Sequence, residues 1–185
     1  MKSNKMVVIF ILIVLTIFAS ACAFSFLPKN GSDSATLEYE GNLLKITLPQ
    51  DGSVNEANSS HEDESEFVYI NTPIDGSFIT ITASTVPYEE MTWDEGKEMY
   101  ERYLVGKGAE NIKQYEMEDA AYPNTVIITR EQAQSAESVM EVNVINIVFL
   151  AGDKLCTIVG MSAEKEHFSE IENMCGELFS SFELV

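Results

Sequence analysis

The densest group of metal-ligating residue types in this sequence is the acidic run His61-Glu62-Asp63-Glu64-Ser65-Glu66. Carboxylate oxygens are ligands that Ca²⁺ prefers, so such a run raises the question of a calcium site. The run lacks the regularly spaced Asp/Asn positions and the glycine of an EF-hand loop. We therefore interpret it as a solvated acidic stretch at the end of a loop over residues 50–64, and we predict no metal site.

Neither the histidines nor the glycines of the chain form a recognised catalytic motif. His61 and His167 are not part of an H-E-x-x-H pair, which zinc peptidases use to bind their metal. The sequence also contains no C-x-x-C redox motif and no G-x-S-x-G nucleophile elbow. We predict no catalytic residues and no cofactor. An enzyme whose site is assembled from scattered residues stays as a third-ranked alternative.

The first cysteine, Cys22, follows a segment with the organisation of an export signal. Lys2 and Lys5 precede an uncharged apolar stretch over residues 6–19, and Ala19-Ser20-Ala21 then leads to Cys22. This ending resembles a bacterial lipobox, in which the cysteine thiol receives diacylglycerol before cleavage, although the motif favours Leu where this chain has Ala19. The resemblance implies a signal peptide over residues 1–21 and a lipid on Cys22, at the outer face of the cytoplasmic membrane.

Two other interpretations of the same segment stay open. Ala19-Ser20-Ala21 is also an A-x-A site for ordinary signal peptidase, which would release a secreted protein. No charge occurs from residue 6 through residue 27, a length that suffices for an uncleaved membrane-spanning helix. With either anchor, residues 22–36 would be a flexible tether, because they mix Ser, Pro, Asn, Gly and Asp.

The remaining cysteines, Cys156 and Cys175, form an even pair in an exported protein. Cys156 lies in a strand-like run, and Cys175 lies on the apolar stripe of the last predicted helix. The two could form a disulfide, or they could be buried free thiols that pack as small apolar side chains. The spacing does not decide between these alternatives.

The charge of the chain restricts its partners. Thirty acidic residues stand against 11 Lys and Arg, giving a net charge of −19. A field of this sign repels nucleic acids and anionic lipid headgroups. We therefore expect no nucleic-acid partner, and contact with the membrane only through the N-terminal segment.

Two helices are predicted. Thr92 and Glu95 form a capping box that begins a helix over residues 92–105. One face of this helix carries Trp93, Tyr100, Tyr103 and Leu104, which favours packing on a sheet. The alternative is a groove for a peptide or glycan, lined by Tyr88, Trp93, Tyr100 and Tyr103. A second helix over residues 163–182, capped by Ser162, shows apolar spacing of three and four residues from Phe168 to Phe182.

The strand pattern predicts an α+β fold. Strands are expected at residues 42–48, 67–70, 78–83, 112–117, 125–129, 139–150 and 154–159. The strand at 139–150 is nearly all apolar, which indicates a central strand covered on both faces. We predict one domain over residues 37–185, with a single antiparallel sheet flanked by two helices as an α/β/α sandwich.

This order of elements resembles the PsbP-like fold of photosystem II extrinsic subunits, Ran-binding Mog-type proteins and small bacterial lipoproteins. Its markers are the strand end Leu48-Pro49 and the closing run Glu177-Leu178-Phe179-Ser180-Ser181-Phe182. The resemblance implies a non-enzymatic protein that binds or stabilises a protein partner, here in the bacterial envelope. It transfers no functional residue, because fold does not fix function. A domain that binds a small ligand or an ion is the alternative.

Overall fold

The computed structural model describes residues 37–86, 91–134 and 139–185. Within these ranges the chain forms two α-helices and two antiparallel sheets. Helix α1 spans Trp93–Gly106, and helix α2 spans Phe168–Ser180. The strands are β1 (Glu38–Glu40), β2 (Leu44–Thr47), β3 (Ser53–Val54), β4 (Ser60–His61), β5 (Ser65–Asn71), β6 (Ser77–Thr85), β7 (Glu110–Tyr115), β8 (Asn124–Gln134), β9 (Val139–Ala151), β10 (Lys154–Ser162) and β11 (Glu183–Leu184).

The large sheet has the strand order β3-β5-β6-β10-β9-β8-β7, with β4 pairing to β5. The predicted β5–β6 hairpin and the meander from β7 to β10 are both confirmed. Strand β10 also pairs with β6, with Ile158 opposite Ile81, and so joins the two halves into one sheet. The apolar strand β9 lies inside the sheet, as its composition predicts.

The prediction of a single sheet is wrong, because a second sheet of order β1-β2-β11 is present. Leu184, near the C-terminus, pairs with Leu44 of β2. Strands β1 and β11 are three and two residues long. Such strands are too short for an alternating pattern to show in the sequence. Leu44 and Ile46 do alternate, and both are buried in the main core.

The two helices lie on opposite faces of the large sheet, as predicted. Successive residues of a strand point to opposite faces, so neighbours in β9 belong to different cores. The Phe149 ring lies 4.9 Å from the ring of Phe179 in α2. Val148 instead packs in a second, smaller cluster with Tyr100 and Leu104 of α1.

The start of α1 is confirmed, whereas the start of α2 is not. The Thr92 amide donates to the Glu95 carboxylate at 2.9 Å, and the Glu95 amide donates back to the Thr92 hydroxyl at 3.4 Å. Ser162 does not cap α2: its hydroxyl donates to the Glu164 carbonyl at 2.8 Å and holds a separate turn. A 3-10 turn, Lys165–His167, then precedes the helix. The predicted loop over residues 50–64 likewise contains two short strands, β3 and β4.

Candidate partner-binding face

Helix α1 covers only part of its face of the large sheet. It packs on β9, and the buried side chains beneath it are Ile127, Val148 and Leu155. The same face continues across β10, β6 and β5, where Phe78, Thr80 and Ser84 of β6 are buried and other side chains are half-buried. We call this region the open face, and its half-buried residues are Phe67, Tyr69, Thr82, Thr157, Val159 and Met161.

Strand register arranges the open face in rows. Phe67 lies opposite Thr82, which lies opposite Thr157. In the next row, Tyr69 and Val159 flank Thr80 from its two sides. The face therefore presents aromatic and aliphatic groups beside the hydroxyls of Thr82 and Thr157, a mixture that suits the surface of another protein.

Tyr69 is the best-defined contact group on this face. Its ring stacks on the buried Phe78 ring, with centroids 5.1 Å apart and planes inclined by 20°. Burial raises the pKa of the Tyr69 hydroxyl to about 12, so the phenol is protonated at neutral pH. Within the described residues this hydroxyl has no hydrogen-bond partner. A rigid aromatic ring that carries an unused donor is typical of residues that dominate protein interfaces.

Exposed acidic residues border strand β5 at both of its ends. Glu62, Asp63 and Glu64 are exposed just before the strand begins. Asp75 is exposed in the turn that leads from β5 to β6. Together with the net charge of −19, this border favours a partner whose contacting surface is basic around an apolar centre.

The predicted packing of Trp93, Tyr100, Tyr103 and Leu104 on the sheet is confirmed, whereas Tyr88 lies outside the described residues. Tyr100 and Leu104 are buried, and Trp93 and Tyr103 pack half-buried against the same cluster. The Tyr100 hydroxyl donates to the side-chain oxygen of Asn146 at 2.9 Å. This bond explains how the polar Asn146 is tolerated at a fully buried position of β9.

The acidic run contains a buried group that the solvated interpretation misses. The side chain of Glu66 is fully buried, and its carboxylate accepts five hydrogen bonds. Three come from the backbone amides of Asn42, Leu43 and Leu44, at 3.3, 2.7 and 3.2 Å. The prediction of a solvated stretch is therefore wrong for Glu66, although Glu62, Asp63 and Glu64 are exposed.

Two side chains complete the Glu66 cluster. The Tyr39 hydroxyl donates to Glu66 at 2.9 Å, and the Nδ1 atom of His61 lies 2.8 Å from the same carboxylate oxygen. The Nε2 atom of His61 lies 3.3 Å from a carboxylate oxygen of Glu56. A Cβ atom on Gly41 would overlap the Glu66 carboxylate, so only glycine fits at that position.

The electrostatics of the cluster favour the charged forms of Glu66 and His61. Burial alone would raise the pKa of Glu66, but the bonds from the Leu43 amide, His61 and Tyr39 outweigh it and lower the pKa below its ordinary value. The bond to Glu66, opposed by partial burial and helped by Glu56, raises the pKa of His61. Burial and the Glu66 carboxylate also raise the pKa of the Tyr39 hydroxyl.

The second histidine lies in a more exposed acidic group. Glu164, Glu166 and His167 each place one ligand atom within 4.8 Å of the others, so they are the described residues that could hold a metal ion. Glu164 and His167 border a depression of about 350 Å³ that Asp75 and Glu170 also line. His167 already pairs with Glu164 and Glu170, each at 3.4 Å. Each nitrogen of the His167 ring therefore already lies beside a carboxylate.

Cys156 and Cys175 are free thiols, and both are buried. Of the two alternatives left open by the sequence, the structure therefore has the unbonded one. Both residues belong to the core between the large sheet and α2. Cys175 lies over Gly160, four residues along β10 from Cys156. Four residues of a strand span about 13 Å, which exceeds the separation that a disulfide bridges.

The predicted signal peptide, the lipidation site Cys22 and the tether lie outside the described residues. Their assignment stays a prediction from the sequence. Among the residues that the structure describes, no helix is long and apolar enough to cross a membrane.

Comparison with known proteins identifies the fold. No family model matches the sequence, and no curated protein matches it. The structure is similar to cyanobacterial PsbP (CyanoP) from Synechocystis sp. PCC 6803, with a TM-score of 0.56 and 13% identity over 86% of this chain and 99% of that chain. Also similar is the Ran-binding protein Mog1p of Saccharomyces cerevisiae, with a TM-score of 0.44 and 14% identity over 77% of this chain and 90% of that chain. The likeness to CyanoP shows that this chain has the PsbP-like fold that its order of elements predicted.

Proposed function

We propose that this protein is a non-enzymatic domain tethered to the outer face of a bacterial cytoplasmic membrane, where it binds a protein partner through the open face. The observation that carries the proposal is the open face itself, where Phe67 and Tyr69 lie half-buried on one face of the large sheet. Burying such rings against a partner stabilises a complex, because apolar area leaves water.

The partner that fits this face is a folded protein with a basic rim around an aliphatic patch. The open face offers apolar side chains and hydroxyl groups, and exposed carboxylates border its strand β5 at both ends. Complementary charge at the rim would steer the partner into place, while the apolar centre would supply most of the affinity.

The tether is supported by the sequence. A basic start, an apolar core and Cys22 after three small residues favour export and lipid attachment. Replacing Cys22 with Ser should abolish labelling by a fatty-acid analogue in cells and slow the removal of residues 1–21. Labelling that persists in Cys22→Ser, or a mature N-terminus at another residue, would contradict the lipid anchor and leave the partner-binding face to its own test.

Site-specific photo-cross-linking tests the partner. A benzoylphenylalanine at Tyr69 or Val159 of the full chain, in intact cells, should give one adduct of defined mass. The same group at Glu177, exposed on α2, is the matched control and should give none. The adduct from position 159 should weaken in a Tyr69→Ala background that keeps its unfolding midpoint. Equal adducts from all three positions, or none from positions 69 and 159, would refute the open face as the interface.

A further inference from the structure

The Glu66 cluster joins the two sheets through one carboxylate. Its donors come from separate segments: Tyr39 lies in β1, the amides of Asn42 and Leu43 lie in the turn between β1 and β2, and His61 lies in β4. Glu66 itself lies in β5 of the large sheet. The β1–β2 hairpin is therefore held on the large sheet by hydrogen bonds that end on Glu66, together with the contact between the Tyr39 hydroxyl and Nδ1 of His61 at 3.2 Å.

We propose that Glu66 and His61 form a pH-responsive latch, which holds the β1–β2 hairpin on the large sheet most firmly when Glu66 is ionised and His61 is protonated. In that state both ring nitrogens of His61 donate, Nδ1 to Glu66 and Nε2 to Glu56. Hydrogen bonds between charged partners are roughly twice as strong as bonds between neutral ones. The hairpin is the first described part of the domain and follows residues 22–36 in the sequence. The latch therefore holds in place the strands that come after the predicted tether.

The titratable groups that face the latch fix the pH window in which it is closed. They are Tyr39 from β1, Glu56 from the 3-10 turn Glu56–Asn58, His61 from β4 and Glu66 from β5. The pKa of Glu66 is lowered, so its contribution is present above the pKa of an unfolded glutamate and is lost as pH falls through the folded value.

His61 sets the upper limit of the window. Its pKa is raised, so its contribution is complete below the ordinary histidine value near 6.5 and is lost as pH rises through the folded value. Tyr39 titrates far above this range, because its pKa is raised as well. The latch therefore loosens on the alkaline side at a pH that histidine controls, and on the acid side only where Glu66 takes up a proton.

Amide hydrogen exchange of the full chain purified from membranes tests the latch. Between pH 5 and pH 9, the protection factor of the Leu43 amide should fall by about tenfold as His61 loses its proton, equivalent to ~1.4 kcal/mol. The protection factor of Ile158, in the central strand β10, should stay constant. In His61→Gln the profile of Leu43 should be flat. His167→Gln removes the other histidine and should leave the fall unchanged.

A second variant keeps the test independent of the histidine titration. Glu66→Ala leaves the amides of residues 42–44 without their acceptor, and added formate should restore protection of Leu43 because it can occupy the vacated position. Glu66→Gln fills that position, so formate should not help it. A flat Leu43 profile in the unaltered chain, or the same fall in His61→Gln, would overturn the proposal. If Glu66→Ala does not fold, the histidine variants alone decide.

Discussion

Replacing Gly160 with alanine should destabilise the domain by about 1–3 kcal/mol, the range measured for inserting a methyl group into a packed core. Gly160 lies on β10 beneath α2. A Cβ atom there would stand 2.5 Å from the Sγ atom of Cys175, 2.6 Å from a methyl group of Ile171 and 3.0 Å from a methyl group of Ile145. Ordinary contacts are about 3.5–4.0 Å, so the helix and strand would have to move apart by roughly 1 Å.

Two opposing effects act against this cost. Alanine restricts the unfolded chain more than glycine does, which stabilises by about 0.4–1 kcal/mol. Burial of one more carbon adds about 0.8 kcal/mol at most. The restriction of the unfolded chain acts whatever the packing, but the gain from burial is not realised where the added carbon overlaps Ile145 and Ile171, which are both essentially fully buried in a close-packed core. The overlap therefore determines the sign.

Gly176 supplies the matched control, because the same substitution there should have the opposite effect. It lies inside α2, and a Cβ atom at this position would meet nothing within 4 Å. Alanine is favoured over glycine within helices by about 0.5–1 kcal/mol, so Gly176→Ala should stabilise.

Urea unfolding of the two variants, and of Gly160→Ala in a Cys175→Ala background, measures these effects. Removing the Sγ atom eliminates the shortest contact, so the cost of Gly160→Ala should shrink by at least about 0.5 kcal/mol in that background. The dependence of the unfolding free energy on urea should not change. A cost below half a kcal/mol for Gly160→Ala, or the same cost with and without Cys175, would refute the packing of α2 on β10 described here.

Two further predictions concern buried polar atoms. Thiol reagents should label Cys156 and Cys175 only after denaturation. Burial raises the pKa of Cys156 to about 12 and raises the pKa of Cys175 further, so neither thiol is ionised in the native protein. Rapid labelling of the native protein would contradict this. Tyr100→Phe should cost about 1–3 kcal/mol by leaving the Asn146 side-chain oxygen unpaired, whereas Tyr103→Phe, at a half-buried ring, should change the unfolding free energy by less than half a kcal/mol. Equal losses for the two variants would remove the role assigned to the Tyr100 hydroxyl.

The helices and the long strands were predictable because their patterns are local. Ile171, Cys175 and Leu178 recur at spacings of four and three, and all three are fully buried. The capping box fixed the start of α1 in the same way. The predicted start of α2 was wrong because Ser162, a typical capping residue, instead holds a turn around Glu164.

The second sheet and the Glu66 cluster depend on contacts between distant parts of the chain. The pairing of Leu184 with Leu44 cannot be recognised from the sequence, because β2 and β11 are only four and two residues long. For Glu66 a signal did exist: it alternates with Val68 and Ile70, so extending β5 back to residue 65 places the carboxylate on the buried face. The acidic residues around Glu66 predict a solvated stretch, whereas its alternation with Val68 and Ile70 predicts a buried side chain. The acidic composition therefore obscured the alternation.

The open face depends on where α1 comes to rest. Period-two alternation puts Phe67 and Tyr69 together on one side of β5, but a sequence does not show which side a helix will cover. From its apolar residues alone, β5 would be predicted to be buried on both faces. Partial cover by α1 is what leaves these rings half-buried and makes them candidates for a partner.

Strand β5 carries both proposals on opposite sides of one backbone. Phe67 and Tyr69 point toward the open face, whereas Glu66 and Val68 point into the core shared with α2. A change of Tyr69 therefore leaves every hydrogen-bonding side chain of the latch in place, and a change of His61 leaves the open face unaltered. Because the two groups share no contact side chain, their effects should add. If a partner binds the His61→Gln variant as well as it binds the unaltered chain, the latch affects the stability of the fold and not partner binding.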